Sequence, residues 1–193
     1  MLSNYLVDKM VESEVIQKED KDVYLYGLNQ GFTIIQNIFI TLIIGGLFGN
    51  IIATCVFLMV YIPLRSFAGG YHAATPKKCF IYSILLILVI QLYFLYLFKS
   101  MYQWICPVVL ISSFIIYINF PVQNSNKPLS IEEKSYYKKV VAEILISVFF
   151  LMLFGKRLSC LVVEQGMATA IYTETLLLII EKFKNRHLQR NKV

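Results

Sequence analysis

The segment 51-IIATCVFLMVYIPLRSFAGGYHAATPKKC-79 decides how the whole chain is read. Its opening run, Ile51 to Leu64, is uncharged and apolar apart from Thr54 and Tyr61. As a helix it covers about 21 Å, against a bilayer hydrocarbon core of about 30 Å. Two geometries follow. Either the helix continues through Phe67 and Ala68 to the membrane surface, or the polar residues begin below that surface, in a water-filled recess. Those residues, Arg65 to Cys79, form a polar island. It holds His72, one of two histidines in the chain, the pair Gly69 and Gly70, and Cys79 next to Lys77 and Lys78.

Outward from this island the chain is apolar. Hydrophobic residues make up 58% of it and charged residues 16%, whereas soluble domains hold about half and about a quarter. The apolar residues come in long runs, so the expected fold is all-α: a polytopic integral membrane bundle of about six transmembrane helices plus an N-terminal amphipathic helix. Its length suits a single membrane domain over residues 1–193. The expected spans are 32–48, 51–64 or beyond, 79–98, 101–120, 140–154 and 158–180. A turn is expected at Gly49-Asn50 and another at Gly155 to Arg157, and a basic tail covers 181–193.

Residues 1–31 place Leu2, Tyr5, Leu6, Met10 and Val15 at roughly helical spacing, with more acids than bases between them. That composition argues against strong attraction to anionic lipid and favours a surface helix or one packed on the bundle. Charges of both signs in this region do not match a signal peptide. The net charge of +6 has its simplest source in cytoplasmic loops and gives no reason to expect nucleic-acid binding. With six spans, all but Lys99, Lys156 and Arg157 of the 18 Lys and Arg residues fall on the side of the island. The termini and the island are therefore expected to face the cytoplasm of a bacterial cell membrane.

The island has the parts of a thiol site. A cysteine nucleophile needs a thiolate and a nearby base or cation. His72 is the histidine within reach. Thr75-Pro76 reads as an N-cap followed by proline at the first helical position, which places Cys79 at a helix N-terminus where an anion is favoured. Gly69 and Gly70 allow a sharp bend and leave N–H groups open to an oxyanion. Each feature also has a plain structural reading: a boundary cysteine, a solvated histidine, an ordinary glycine loop and topology-setting lysines. Cysteine spacing gives no metal pattern, and one His with one Cys cannot complete a tetrahedral ion. No metal or cofactor is expected. These residues alone define a membrane protein with a candidate thiol site.

Arg65, Gly70, His72, Ala73 and Cys79, together with the polar stretch from Pro121 to Leu129 followed by Lys138 and Lys139, resemble the accessory gene regulator protein B family, membrane cysteine endopeptidases of bacterial peptide quorum sensing. The resemblance implies that Cys79 is the nucleophile and His72 its base. It implies cleavage near the C-terminus of an AgrD-like precursor peptide of the autoinducer, through a thioester that a precursor cysteine converts to a thiolactone. It also suggests a homodimer in the lipid bilayer. On this reading Arg65, Gly69 and Gly70 shape the site, and Lys127, Lys138 and Lys139, in a basic loop spanning 121–139, receive an acidic precursor tail. No third residue that orients His72 is evident; of the polar residues in or beside the last two spans, Glu143, Glu164, Gln165 and Glu174, Glu164 is the one to test, with pairing to another helix or a subunit contact as its plain structural reading. A peptide export helper and a membrane scaffold without proteolytic activity are the competing readings.

Overall fold

The computed structural model describes residues 2–69, 76–98, 100, 102–119 and 130–190. Helix α1 spans Leu2–Glu12, and a 3-10 turn at Lys18–Asp20 leads into α2, Lys21–Leu47. Helix α3 covers Ile51–Ala68, and α4 covers Pro76–Leu92 with a π-helical continuation at Tyr93–Leu97. A second 3-10 turn at Tyr102–Trp104 precedes α5, Ile105–Asn119; α6 is Ile131–Arg157 and α7 is Leu161–Arg190. There are no strands among the described residues.

The N-terminal helix packs on the bundle. Ser3 donates to Asn29 Oδ1 at 2.6 Å and Lys21 pairs with Asp8 at 2.7 Å, so α1 folds back antiparallel along the start of α2. Helix α2 therefore begins eleven residues before the apolar span expected from Phe32, because nothing between Lys21 and Gly31 interrupts its hydrogen bonds. The expected turn follows it. Gly49 takes φ +71°, and the Asn50 N–H reaches back to the Gly45 carbonyl at 2.8 Å. Helix α3 continues through Phe67 and Ala68, the longer of the two anticipated geometries, and Pro63 lies inside it.

Three expected boundaries are corrected. The basic segment 121–139 is a loop only in part, since Lys134, Lys138 and Lys139 lie on α6. That helix is started by a capping box: Glu133 N–H donates to Ser130 Oγ at 3.1 Å, and Ser130 N–H donates to Glu133 Oε2 at 2.9 Å. Such a cap contributes about 1 kcal/mol. Gly155, Lys156 and Arg157 are the last turn of α6, and the chain instead reverses over Leu158 to Cys160, with Ser159 at φ 54°. The basic tail is not separate from the last span, since α7 runs unbroken to Arg190.

Side-chain contacts fix the direction of each helix. The start of α3 meets the end of α4, where Gln91 accepts from Asn50 at 3.2 Å and donates to Thr54 Oγ1 at 2.9 Å. The end of α3 meets the start of α6, where the Phe67 and Tyr137 rings stand edge to face at 5.6 Å. Helix α7 runs parallel to α5, with Tyr172 donating to the Ile105 carbonyl, Thr175 to that of Ser112, and Lys182 to Asn119 Oδ1. Directions thus alternate along the chain, as successive membrane crossings require.

Among the described residues, four helical stretches are long and apolar enough to cross a membrane: Lys18–Leu47, Ile51–Ala68, Lys78–Tyr96 and Tyr102–Asn119. Helices α6 and α7, of 27 and 30 residues, match them in length and pack among them. Helix α7 is more polar because it lies inside. Nearly every residue from Glu164 to Thr175 is buried against α3, α5 and α6, and lipid never meets its Glu164, Gln165 or Glu174. The shared core is apolar, with Phe57, Leu64, Ile116, Val141, Ile171 and Leu178 at its centre. Outward faces are apolar too, including Phe39, Met59, Val89, Phe114 and Phe150. That pattern would be a liability in water and suits a hydrocarbon solvent.

Candidate functional site

Cys79 owes its position to Pro76. Proline lacks the N–H that a helix start cannot use and presets the helical φ, and α4 begins at this residue. Cys79 consequently lies in the first turn, at the positive end of the helix dipole. Its thiol is free and partly buried, and Ser83 donates back to its carbonyl at 3.0 Å. The expected N-cap, Thr75, lies outside the described residues.

Arg65 occupies the last turn of α3. Its Nη1 donates to the Gly69 carbonyl at 2.8 Å, and the Gly69 N–H donates to the Arg65 carbonyl at 3.2 Å. Gly69 adopts φ +82°, a conformation that side chains other than glycine's resist. The arginine thus clasps the turn by which the chain leaves α3 toward the island. Gly70 and His72 lie outside the described residues.

One helical turn before Arg65, Tyr61 stacks on Phe57 with ring centroids 5.0 Å apart. Tyr61 is within electrostatic reach of Arg65, Glu174 and Cys79 together, which brings α3, α4 and α7 to one neighbourhood. Glu174 is fully buried, and neither carboxylate oxygen has a hydrogen-bond partner among the described residues. It also lies within the field of Arg65.

The remaining expected residues divide. Lys127 lies outside the described residues. Lys138 and Lys139 stand on the first turns of α6, at the end of the bundle shared by Arg65. The Lys138 ammonium sits 4.7 Å over the Tyr117 ring, and Lys139 approaches Glu143 at 4.0 Å with its side chain largely exposed. Glu164 is not brought to the site. It is buried at the opposite end of the bundle, beside Gly155, and its neighbour Gln165 donates to the Phe94 carbonyl at 3.0 Å. Phe94 is fifteen residues along the helix from Cys79, about 22 Å away. Glu174, ten residues further along α7, lies toward the Arg65 end of the bundle. Among the described residues no group of three or more His, Cys, Asp or Glu could hold a metal ion.

The fold and the site define a polytopic helical membrane protein with a thiol at the start of one apolar helix and an arginine-clasped turn beside it. The accessory gene regulator B family pattern matches residues 3–181, and the chain belongs to that family, which is implicated in peptide quorum sensing. It is 27% identical over 136 residues to a protein of Clostridium perfringens (strain SM101 / Type A) described as AgrB-like, covering 67% of this chain. The match spans 64% of that relative's length. No solved structure matches the chain.

Proposed function

We propose that this chain is a membrane cysteine endopeptidase that cuts a quorum-sensing precursor peptide and promotes its cyclisation. The observation that carries the reading is the placement of Cys79 in the first turn of α4, at the helix N-terminus.

In this mechanism the Cys79 thiol gives its proton to the His72 imidazole and its sulfur attacks the scissile carbonyl carbon. The C–N bond breaks, and the leaving amine takes the proton from the imidazolium. A thioester joins Cys79 to the new C-terminus. The thiol of a precursor cysteine then attacks that thioester, closing a thiolactone and returning the Cys79 thiol. One thioester replaces another, so no external energy source is needed, and the outcome depends on keeping water from the acyl group. An apolar bundle end is a suitable place for that exclusion.

The reading includes six membrane crossings, with the Cys79 end of the bundle in the cytoplasm. The described lysines and arginines crowd that end, which supports the orientation. It also includes an AgrD-like precursor as partner, an acidic tail received by Lys138 and Lys139, and a homodimer. Co-expression with the cognate precursor, followed by mass spectrometry of the products, tests it. Wild-type protein should yield the shortened or cyclised peptide, and Cys79→Ser and His72→Ala should leave the precursor intact. Cleavage by either variant would refute the assignment. Export without cleavage would favour the transport reading.

A further inference from the structure

Two lysines of α6 reach across to α5, one near each end of the pair. The Lys138 ammonium lies 4.7 Å over the Tyr117 ring, and the Lys156 ammonium lies 4.0 Å from the Cys106 sulfur. Positions 138 and 156 are five full helical turns apart, so both lysines stand on one face of α6, about 27 Å from each other along its axis. That separation fits a hydrocarbon core of about 30 Å, with each charge carried to a headgroup layer by its apolar stem. Between them α5 turns an apolar row outward: Leu110, Phe114 and Tyr117 follow helical spacing and are 51%, 64% and 43% exposed. The row ends beneath the Lys138 ammonium. Lys134 stands one turn before Lys138 on the same face of α6. Among the described residues neither Lys134 nor Lys138 pairs with a carboxylate, whereas Lys139 approaches Glu143 and Lys184 pairs with Glu181. The seam between α5 and α6 thus ends in two uncompensated cations above exposed apolar and aromatic surface.

We propose that this seam seats an anionic phospholipid, its phosphate on Lys138 and Lys134 and an acyl chain along Leu110, Phe114 and Tyr117. Charge complementarity selects the anionic headgroup. The apolar row selects the tail, since an acidic peptide would satisfy the lysines and leave the row uncovered. The Tyr117 ring keeps the ammonium at the boundary, because an aromatic face attracts a cation that has lost part of its water. A lipid on Lys138 leaves Lys139, turned about 100° away on α6, as the lysine open to an acidic substrate tail. The seat does not depend on the peptidase reading.

The test uses the full chain in nanodiscs of phosphatidylcholine alone or of an equal mixture with phosphatidylglycerol bearing the same acyl chains. Amine acetylation, read by mass spectrometry, should be about fivefold slower at Lys138 in the mixed discs, with exposed Lys9 on α1 unchanged. Native mass spectrometry of protein released from the mixed discs should find phosphatidylglycerol retained in preference to phosphatidylcholine. Lys138→Gln should lower that retention about fivefold, and Lys134→Gln combined with Lys138→Gln should lower it further. Tyr117→Leu, which keeps the apolar row and removes the aromatic face, should lower it less than Lys138→Gln. The labelling comparison uses wild-type protein, so it decides the matter even where a variant fails to fold. Equal labelling of Lys138 in the two kinds of disc, or unchanged phosphatidylglycerol retention in the double lysine variant, would overturn the proposal. So would protection of Lys138 by a soluble acidic peptide and not by phosphatidylglycerol, which would give the seat to the substrate.

Discussion

Gly166 on α7 stands against the backbone carbonyl of Ala53 on α3 so closely that a Cβ there would lie 2.5 Å from the oxygen. Val56 Cβ would be 2.8 Å away. This approach of two parallel helices sets their register, and the register brings Glu174 to the level of Tyr61 and Arg65. Small residues at such crossings are how membrane helices gain contact, because lipid supplies little hydrophobic drive between them.

Replacing Gly166 by alanine should therefore force the helices apart at the point that aligns the site. The backbone cannot yield as a flexible side chain would, and overpacking of this kind costs about 1–3 kcal/mol. Thermal unfolding in detergent should show a clear fall in midpoint for Gly166→Ala. Gly27→Ala, where nothing lies within 4 Å, should be neutral.

Gln91 is fully buried and joins two elements, accepting from Asn50 and donating to Thr54. Gln91→Leu keeps the volume and removes both bonds. Interhelical hydrogen bonds in membranes contribute about 0.6–2 kcal/mol each. A destabilisation of that order is expected from unfolding titrations, with its structural effect at the α3–α4 contact and not at the Cys79 end.

The capping box at the start of α6 gives a local prediction. Ser130→Ala should cost about 1 kcal/mol, while Ser130→Asp, which can still accept from the Glu133 N–H, should lose little. Amide exchange over Ile131 to Lys134 should rise in the alanine variant alone.

Arg65 works as a fork and not only as a charge, since Nη1 holds the Gly69 carbonyl at 2.8 Å. Arg65→Lys keeps the charge and loses the planar donor array. Precursor turnover in Arg65→Lys should fall about tenfold, close to the loss in Arg65→Gln, because positioning dominates.

Lys138 and Lys139 are exposed at the Arg65 end of the bundle. Replacing both by glutamine should raise KM for an acidic-tailed precursor severalfold with little change in kcat. Added salt should produce the same direction of change in wild type and little in the double variant, since exposed charges are screened within about 8 Å at physiological ionic strength.

Much of this protein is legible in its sequence. Long apolar runs announce helices in lipid, Gly49-Asn50 marks a turn, Pro76 starts the thiol helix, and Gly69 sits where a positive φ is needed. The misreadings share a cause. Lys138 and Lys139 read as loop residues by their polarity, whereas the capping-box spacing of Ser130 and Glu133 starts a helix ahead of them. Gly155 read as a turn, yet it is a helical residue packed beside Glu164. Sequence displays Glu164 and Glu174 alike, as acids in an apolar helix. Counting depth would have separated them: ten residues is about 15 Å of helix, and only Glu174 lies toward the island's end of the bundle.

The sequence by itself determined that this chain is a bundle of membrane helices and that Cys79 begins one of them. Those outcomes follow from local hydropathy and from the backbone geometry of glycine and proline, which act within a few residues. Tertiary structure alone decided that α7 lies inside and parallel to α3, and that its acid at position 174, not 164, lies toward the Arg65 end of the bundle. That choice depends on which helices touch and in what register. Register is set by close packing between residues more than a hundred positions apart, such as Gly166 against Ala53, and no local pattern records it.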